Sequence, residues 1–219
     1  VLFRMMGAGR DTWKATRTVV LTTLFLTFGA NYTLAALPVL KPVILKNTYY
    51  RGHLIDNAKY GVMTSASNLI NTVLPFFSGV LVDVYGPSYI ALLCSTCIAV
   101  GNLVLWGGAS RGDFNMINGC EMLMGIGNVT IHMCQLKIYA HWFRGSTGVG
   151  AGLVGRVTGF DVAIGRVFGL MGALIPAPLM EATGKWYWGL WLGFIFSIFA
   201  WPLCLVYVLH ERTLPAPRQ

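Results

Sequence analysis

The sequence predicts an all-α integral membrane protein with six transmembrane helices. Composition is one reason: only 11% of the residues are charged, 55% are hydrophobic and the mean hydropathy is +0.62. A soluble domain is about one-quarter charged. Segment length is the other reason, because a membrane-spanning helix needs about 20 predominantly apolar residues. Six segments are that long, and they lie at residues 18–40, 60–82, 87–109, 114–140, 146–180 and 186–209.

Membrane topology explains the positive charge of the chain. The net charge is +8, but the basic residues lie mostly at span ends and form no cluster interleaved with aromatic residues. We therefore expect no nucleic-acid partner. The basic residues slightly favour a cytosolic N-terminus. We expect residues 1–17 to form a cytosolic tail, residues 18–212 the membrane domain and residues 213–219 the start of a linker. The sequence is equally compatible with the plasma membrane and with a lysosome or vacuole.

No sequence motif predicts an enzyme. A metal-ligand cluster, a phosphate-binding loop and the HExxH and GxSxG motifs are all missing from the sequence. The five cysteines lie within or beside apolar spans, where packing is their expected role. We therefore expect no catalytic residue, no metal ion and no cofactor.

Asparagines mark the first two spans. Asn31 lies in span 1, and Asn68 and Asn71 lie in span 2. An asparagine costs free energy in lipid, so each should face a partner helix or a wet cavity. Asn68 and Asn71 are three residues apart, which predicts that they share one face. A solute path and plain hydrogen bonding between helices are the two interpretations of this polar face.

A very short link joins spans 2 and 3. It contains Asp83 and ends at Gly86, and Gly79 lies four residues before the acid. So short a turn predicts close backbone approach and a glycine with positive φ. An acid at the C-terminal end of a helix is unfavourable unless a donor faces it. The alternative is a tight hairpin with a solvated aspartate.

Span 4 carries two ionisable residues within an apolar segment. Glu121 and His132 are eleven residues apart, which places them ~20° apart on the helical wheel and ~16 Å apart along the axis. They are therefore expected on one face at two depths. A glutamate inside a membrane must be paired or protonated, which makes Glu121 a functional candidate. An interfacial position for Glu121 is the other possibility.

Span 5 has three charged residues and many glycines. Asp161 lies ~140° from both Arg156 and Arg166, so the three charges do not neutralise one another within the helix. Their partners are expected on other helices, in water or on a solute, and Glu121 is the natural partner for an arginine. Arg156 lies ~15 Å into the span, near the bilayer midplane. A buried ion pair that holds the bundle together is the structural alternative.

Four glycines within about 60° of one another predict a stripe for close helix contact: Gly148, Gly152, Gly155 and Gly159.

Three sequence patterns resemble motifs of the major facilitator superfamily of transporters. The spacing G-x-x-x-D-x-x-G at Gly79, Asp83 and Gly86 is similar to the signature loop between its second and third helices. The Arg144-Gly145 step after span 4 resembles the loop between its fourth and fifth helices. The Gly125-Ile-Gly127 step resembles its fourth helix, except that Glu121 stands where the family has an arginine. Basic residues usual in the signature loop are replaced by Val84, Pro87 and Ser88.

The resemblance implies the N-terminal half of such a transporter, with spans 1–3 and 4–6 as two three-helix repeats. It covers residues 18–212 and implies a solute site at the midplane, worked by alternating access. Asp83, with Gly79 and Gly86, would hold the hairpin, and Arg144 is a possible partner for Asp83.

The segment from Gly155 to Gly159, which contains Arg156, resembles the branch that includes lysosomal dipeptide carriers. This implies that Arg156 binds an anionic group of a small-molecule solute. Glu121 or His132 would carry a coupling proton, and hydrogen bonds to the solute would come from the asparagines Asn31, Asn68 and Asn71. Asp161 and Arg166 are further candidates.

A single half lacks the facing wall of the cavity. We therefore expect a second six-helix half, in the same longer chain or, less favoured, in a homodimer. The rival prediction is a membrane-embedded interaction or scaffold subunit without transport, whose charges pair with a partner helix.

Overall fold

The computed structural model describes residues 19–50, 52–143 and 149–211. This part of the chain is helical except for a small β-hairpin. The predicted tail at residues 1–17, the predicted linker at 213–219 and Arg144 lie outside the described residues. A helical segment at residues 19–24 leads into the first long helix. The helices are α1 (Phe28–Asn47), α2 (Asn57–Tyr85), α3 (Pro87–Arg111), α4 (Phe114–Phe143), α5 (Val149–Leu174), α6 (Pro176–Thr183) and α7 (Trp188–Glu211).

The prediction of an all-α membrane protein is confirmed. Within the described residues, five helices are long and apolar enough to cross a membrane, namely Val19–Asn47, Asn57–Tyr85, Pro87–Arg111, Val154–Thr183 and Trp188–Leu209. The 30 residues of α4 are also long enough. Its asparagines and its ionisable side chains make it more polar than the others. The fold is that of a multi-pass helical membrane protein.

Two helices differ in extent from the apolar segments that predict them. The first helix continues to Asn47 through Pro38 and Pro42, well past residue 40. Neighbouring helices in a membrane protein can stabilise a helix that contains prolines. Predicted span 5 is divided, because α5 ends before Pro176, the first residue of α6. Ile175 keeps helical backbone angles, with φ of −77° and ψ of −37°. Pro176 interrupts the helix because it has no N–H to donate, and it fits the first turn of a new helix.

One glycine alone joins α2 to α3. Gly86 has a φ of +86°, and it is both the C-cap of α2 and the N-cap of α3, with Pro87 following as the first residue of α3. The predicted glycine with positive φ is therefore confirmed. The link is shorter than the sequence indicates, because α2 remains helical through Asp83 as far as Tyr85.

The opposite end of the bundle holds the β-hairpin. Strand β1 (Tyr49–Tyr50) pairs antiparallel with β2 (His53–Leu54). The main-chain N–H of Tyr49 donates to the carbonyl of Gly112, at 2.7 Å, in the link between α3 and α4. The hairpin, which lies in the link between α1 and α2, is thus hydrogen-bonded to the link between α3 and α4.

Five helix pairs have the most extensive packing: α3–α4, α3–α7, α1–α5, α2–α4 and α1–α7. The central helices α1 and α3 have 67% and 44% of their span residues buried, against 17% for α2 and 11% for the α5–α6 span. The core therefore lies along α1, α3, α4 and α7. The outer surfaces of α2 and α5 remain largely uncovered and apolar.

A buried hydrogen-bond network links three of these helices. The Thr33 hydroxyl on α1 donates to Asn102 Oδ1 on α3 at 2.6 Å, and Asn102 Nδ2 donates to Ser197 Oγ on α7 at 2.8 Å. All three side chains are buried. Asn102 therefore connects the central helices through both of its polar atoms.

We expect Asn102→Leu to lower the free energy of unfolding by about 1–2 kcal/mol, because interhelical hydrogen bonds in membranes are individually modest. Reversible unfolding in mixed micelles measures the change. Thr72→Ala is the matched control, because the exposed Thr72 hydroxyl bonds only to the carbonyl of Asn68 in its own helix. Equal stability of the Asn102 and Thr72 variants would contradict the role of the network.

Candidate functional site

A cavity of about 420 Å³ lies between α1, α4 and α5. Its lining combines small and apolar residues with four polar or charged ones. The lining residues are Asn31, Leu34, Ala35, His132, Asp161, Val162, Gly165, Arg166 and Gly169. The structure therefore brings together Asn31, His132, Asp161 and Arg166, all of which are candidates from the sequence.

Close contact between α1 and α5 forms one side of the cavity. A Cβ at Gly165 would lie 2.8 Å from Asn31 Nδ2, and a Cβ at Gly172 would lie 2.9 Å from the carbonyl carbon of Tyr32. Gly169 likewise faces Ala35, at 3.9 Å. Glycine at these positions allows the two backbones to approach closely.

The predicted glycine stripe lies on a different part of α5 from this contact. A Cβ added at Gly155 or Gly159 would have no neighbouring atom within 4 Å. Gly148 and the surroundings of Gly152 lie outside what the structure describes. The prediction of close contact at Gly155 and Gly159 is therefore wrong for this bundle. In the first part of α5, Gly155 and Gly159 are exposed while Val157 packs against Tyr139 of α4. The close backbone contact with α1 is made by the second half of α5.

Asp161 is buried in the cavity wall. Its side chain is 6% exposed, and its Oδ1 accepts a hydrogen bond from Gln135 Nε2 on α4 at 3.4 Å. Gln135 also donates to the carbonyl of Thr23 at 2.7 Å, and Tyr139 lies next to the carboxyl. The partners of Asp161 therefore come from α4, as expected from the helical wheel. The sequence reasoning missed Gln135 and Tyr139, although a buried glutamine in a membrane helix is itself a signal of a polar partner.

Arg166 provides positive charge at the cavity. It is exposed on α5, and no carboxylate lies within ion-pair distance of its guanidinium in the described part of the chain. His132, on α4, is also exposed where it lines the cavity. The cavity therefore offers a cationic fork and an imidazole to a solute, while the Asp161 carboxyl is held in the wall.

Arg156 lies elsewhere. It is exposed on α5, it does not line the cavity, and it has no ion-pair partner among the described residues. Glu121, the partner expected for an arginine, likewise forms no ion pair with an arginine among the described residues. Ten residues separate Arg156 from Arg166, which places them ~80° apart on the helix. The arginine that the structure places in the cavity is therefore Arg166.

Glu121 and Asn71 lie together in the interface of α2 and α4. Glu121 is 7% exposed, and the hydroxyl of Ser67 on α2 lies beside its carboxyl. Asn71 Oδ1 would be 3.0 Å from a Cβ at Gly125. Asn68 is exposed instead and does not lie in this interface. A separation of three residues falls ~60° short of a full helical turn, which is enough to turn Asn68 away from α4.

Asp83 forms an ion pair with Lys137, near the end of the bundle that carries Gly86. Lys137 Nζ also donates to the carbonyl of Gly79 at 3.3 Å. The donor that Asp83 is predicted to need therefore comes from α4. The suggested partner, Arg144, lies outside the described residues. Sequence reasoning missed Lys137 because no local pattern sets the register between α2 and α4.

This ion pair should contribute little stability. The Lys137 and Asp83 side chains are 36% and 73% exposed, and exposed ion pairs are typically worth about 0–1 kcal/mol. In a double-mutant cycle of Asp83→Asn and Lys137→Met, we expect a coupling below about 1 kcal/mol, measured by unfolding in micelles. A coupling above about 2 kcal/mol would mean that the pair is buried in the working protein.

No protein-family model and no curated protein matches this chain. The cavity itself is therefore the main indication of function. It combines an arginine, a histidine, an aspartate and an asparagine amide around a space large enough for a small solute.

Proposed function

We propose that the chain is one six-helix half of a major-facilitator-type transporter, which moves a small polar or anionic solute by alternating access. The observation that carries this proposal is the cavity with Arg166, His132 and Asn31 between three helices of a membrane bundle. Charged side chains within membrane helices are costly and mark solute or ion paths by default. The signature-like loop at Gly86 and the Asp83 ion pair also support the proposal.

The packing of the helices supports two three-helix repeats. In two such repeats, α1 corresponds to α4, α2 to the α5–α6 span and α3 to α7. When each helix is replaced by its counterpart, the set of the five most extensive helix pairs stays the same. The α1–α5 pair becomes α4–α2, α1–α7 becomes α4–α3, and α3–α7 becomes α7–α3. A twofold relation between repeats produces this pattern, and nested repeats of three helices are typical of the superfamily.

The chemistry of the cavity indicates the class of solute. Arg166 can form two parallel hydrogen bonds to a carboxylate or phosphate. Asn31 and His132 add further hydrogen-bonding groups from the facing helices. A volume of about 420 Å³ lies at the lower end of the range for ligand pockets. A small solute with one anionic group therefore fits best.

A second six-helix half would cover the open surfaces of α2 and α5. Large apolar side chains cover these surfaces, including Phe76 at 79% and Val84 at 70% exposed on α2, and Phe160 at 54% on α5. The cavity opens beside α5, so a half docked there would supply its missing wall. With a cytosolic N-terminus, the Gly86 link and the Asp83 ion pair would lie on the cytosolic side.

The same open surfaces support the rival function of a membrane-embedded interaction or scaffold subunit. Uptake into proteoliposomes by the full polypeptide that contains this chain distinguishes the two. A carrier gives saturable uptake of an anionic solute, and Arg166→Ala strongly reduces this uptake but leaves the protein folded and assembled. A scaffold gives no uptake with any solute class, and its charge variants lose assembly instead.

A further inference from the structure

A second polar site lies between α2 and α4, apart from the residues that line the solute cavity. The two helices run parallel there with a constant offset of 54 residues, which relates Ser67 to Glu121 and Asn71 to Gly125. The same offset relates Asp83 to Lys137. The site is therefore part of a continuous and regular helix interface.

Several buried oxygen atoms lie along this part of the interface. Glu121 Oε2, Ser67 Oγ and Asn71 Oδ1 are all buried, and none makes a hydrogen bond of normal geometry within the described part of the chain. The Ser67 hydroxyl nevertheless lies beside the Glu121 carboxyl. Asn118 Oδ1, three residues before Glu121 on α4, is also buried without a hydrogen bond of normal geometry. Buried polar atoms almost always have a partner, so these oxygens require an explanation.

A proline adds a main-chain oxygen to this set. Pro75 lies inside α2 and has no N–H, so the carbonyl of Asn71 loses the donor four residues later. Main-chain carbonyls released from helical bonding are frequent ligands for cations in membrane proteins. Asn71 therefore presents both a side-chain and a main-chain oxygen at this level of the helix.

The charge of the site is a single negative one. Glu121 is 7% exposed and has no Lys, Arg or His within ion-pair distance among the residues that the structure describes. Lys137, the cation that α4 presents to α2, is already paired with Asp83. An isolated buried carboxylate is strongly unfavourable unless it is protonated or neutralised by a cation.

We propose that Glu121, Ser67 and Asn71 form a binding site for Na⁺. Alkali and alkaline-earth cations take oxygen ligands, and one carboxylate with several neutral oxygens balances a single positive charge. A proton on Glu121 and the Ser67 hydroxyl beside it would still leave the Asn71 oxygens without a donor, whereas a cation is coordinated by all of these oxygens. The Asn71 side chain fills the space beside Gly125, where its Oδ1 would lie 3.0 Å from an added Cβ, and this restricted space favours a small ion over K⁺.

The thermal stability of the purified protein in detergent tests this site without any transport measurement. At equal salt concentrations, NaCl should raise the melting temperature by roughly 5 °C over choline chloride, because a ligand that binds only the folded state stabilises it. KCl should have a much smaller effect. Glu121→Gln should abolish the response to Na⁺, and Asn71→Ala should raise the Kd for Na⁺ at least about tenfold.

Asn68→Ala is the matched control, because Asn68 is on the same helix but exposed, and its response to Na⁺ should equal that of the unmodified protein. Identical melting temperatures in NaCl and choline chloride would overturn the proposal. A full Na⁺ response in Glu121→Gln would do the same, as would a response to pH alone. If Glu121→Gln does not fold, Ser67→Ala and Asn71→Ala provide the test. The site does not depend on the carrier proposal: Na⁺ binding without uptake would refute the carrier and leave the site standing.

Discussion

Replacing Arg166 with alanine should lower the kcat/KM of solute uptake by about 100-fold, measured on the full polypeptide in proteoliposomes. The guanidinium lies at the cavity without a carboxylate partner among the described residues, so it is free to bind an anionic group of the solute. Loss of a charged hydrogen-bonded contact costs about 2–5 kcal/mol, and about 2.7 kcal/mol corresponds to 100-fold. Arg166→Lys should recover only part of the activity, because lysine lacks the planar fork.

Arg156→Ala is the matched control for this prediction. It removes the same side chain from the same helix, but Arg156 is exposed and lies outside the cavity lining. We expect uptake to change by less than about threefold. The opposite ranking, with Arg156→Ala inactive and Arg166→Ala active, would reject the cavity as the solute site. It would favour the position that the resemblance to dipeptide carriers implies.

Replacing Gly172 with alanine should destabilise the protein by about 3 kcal/mol or more and reduce the yield of folded protein. A Cβ at Gly172 would lie 2.9 Å from the carbonyl carbon of Tyr32 and 3.1 Å from its Cα, and it would overlap the carbonyl oxygen. These are backbone atoms of α1, which cannot move aside as the end of a side chain can. Separation of α1 from α5 would also open one side of the solute cavity.

Gly155→Ala is the corresponding control on the same helix. Gly155 is exposed, and a Cβ added there would have no atom within 4 Å. Alanine is the better helix former, so this variant should be as stable as the unmodified protein or more stable by up to about 1 kcal/mol. Unfolding in mixed micelles compares the two variants. Equal destabilisation would show that the first half of α5 is also closely packed in the assembled protein, as the glycine stripe predicts.

The helices follow almost directly from the sequence. Apolar length predicts the membrane spans, because the bilayer fixes how many apolar residues a helix needs. The shortness of the link alone predicts a positive φ at Gly86, and its φ of +86° confirms this. The helix that contains span 1 continues beyond the apolar segment, through Pro38 and Pro42 to Asn47. The length of an apolar segment predicts a membrane span but does not fix where its helix ends, and neighbouring helices can stabilise a helix that contains prolines.

The composition of the candidate sites is also predictable in large part. The cost of polar and charged groups inside a membrane selects Asn31, His132, Asp161 and Arg166, and the structure places all four at one cavity. The same cost selects Arg156 and Asn68, which the structure leaves exposed. The cost of a charge in lipid shows that the side chain needs a polar partner or water. It does not show which partner the fold supplies.

What the sequence by itself determined is the membrane class, the extent of most helices and the set of side chains that must avoid lipid. Those properties depend on each residue and its near neighbours in the chain. The tertiary structure alone decided that Lys137 is the partner of Asp83, that Gly172 rather than Gly155 contacts α1, and that Glu121 faces α2. Each of these depends on the rotation and register of two helices. These are set by packing between segments far apart in sequence, and no local pattern encodes them.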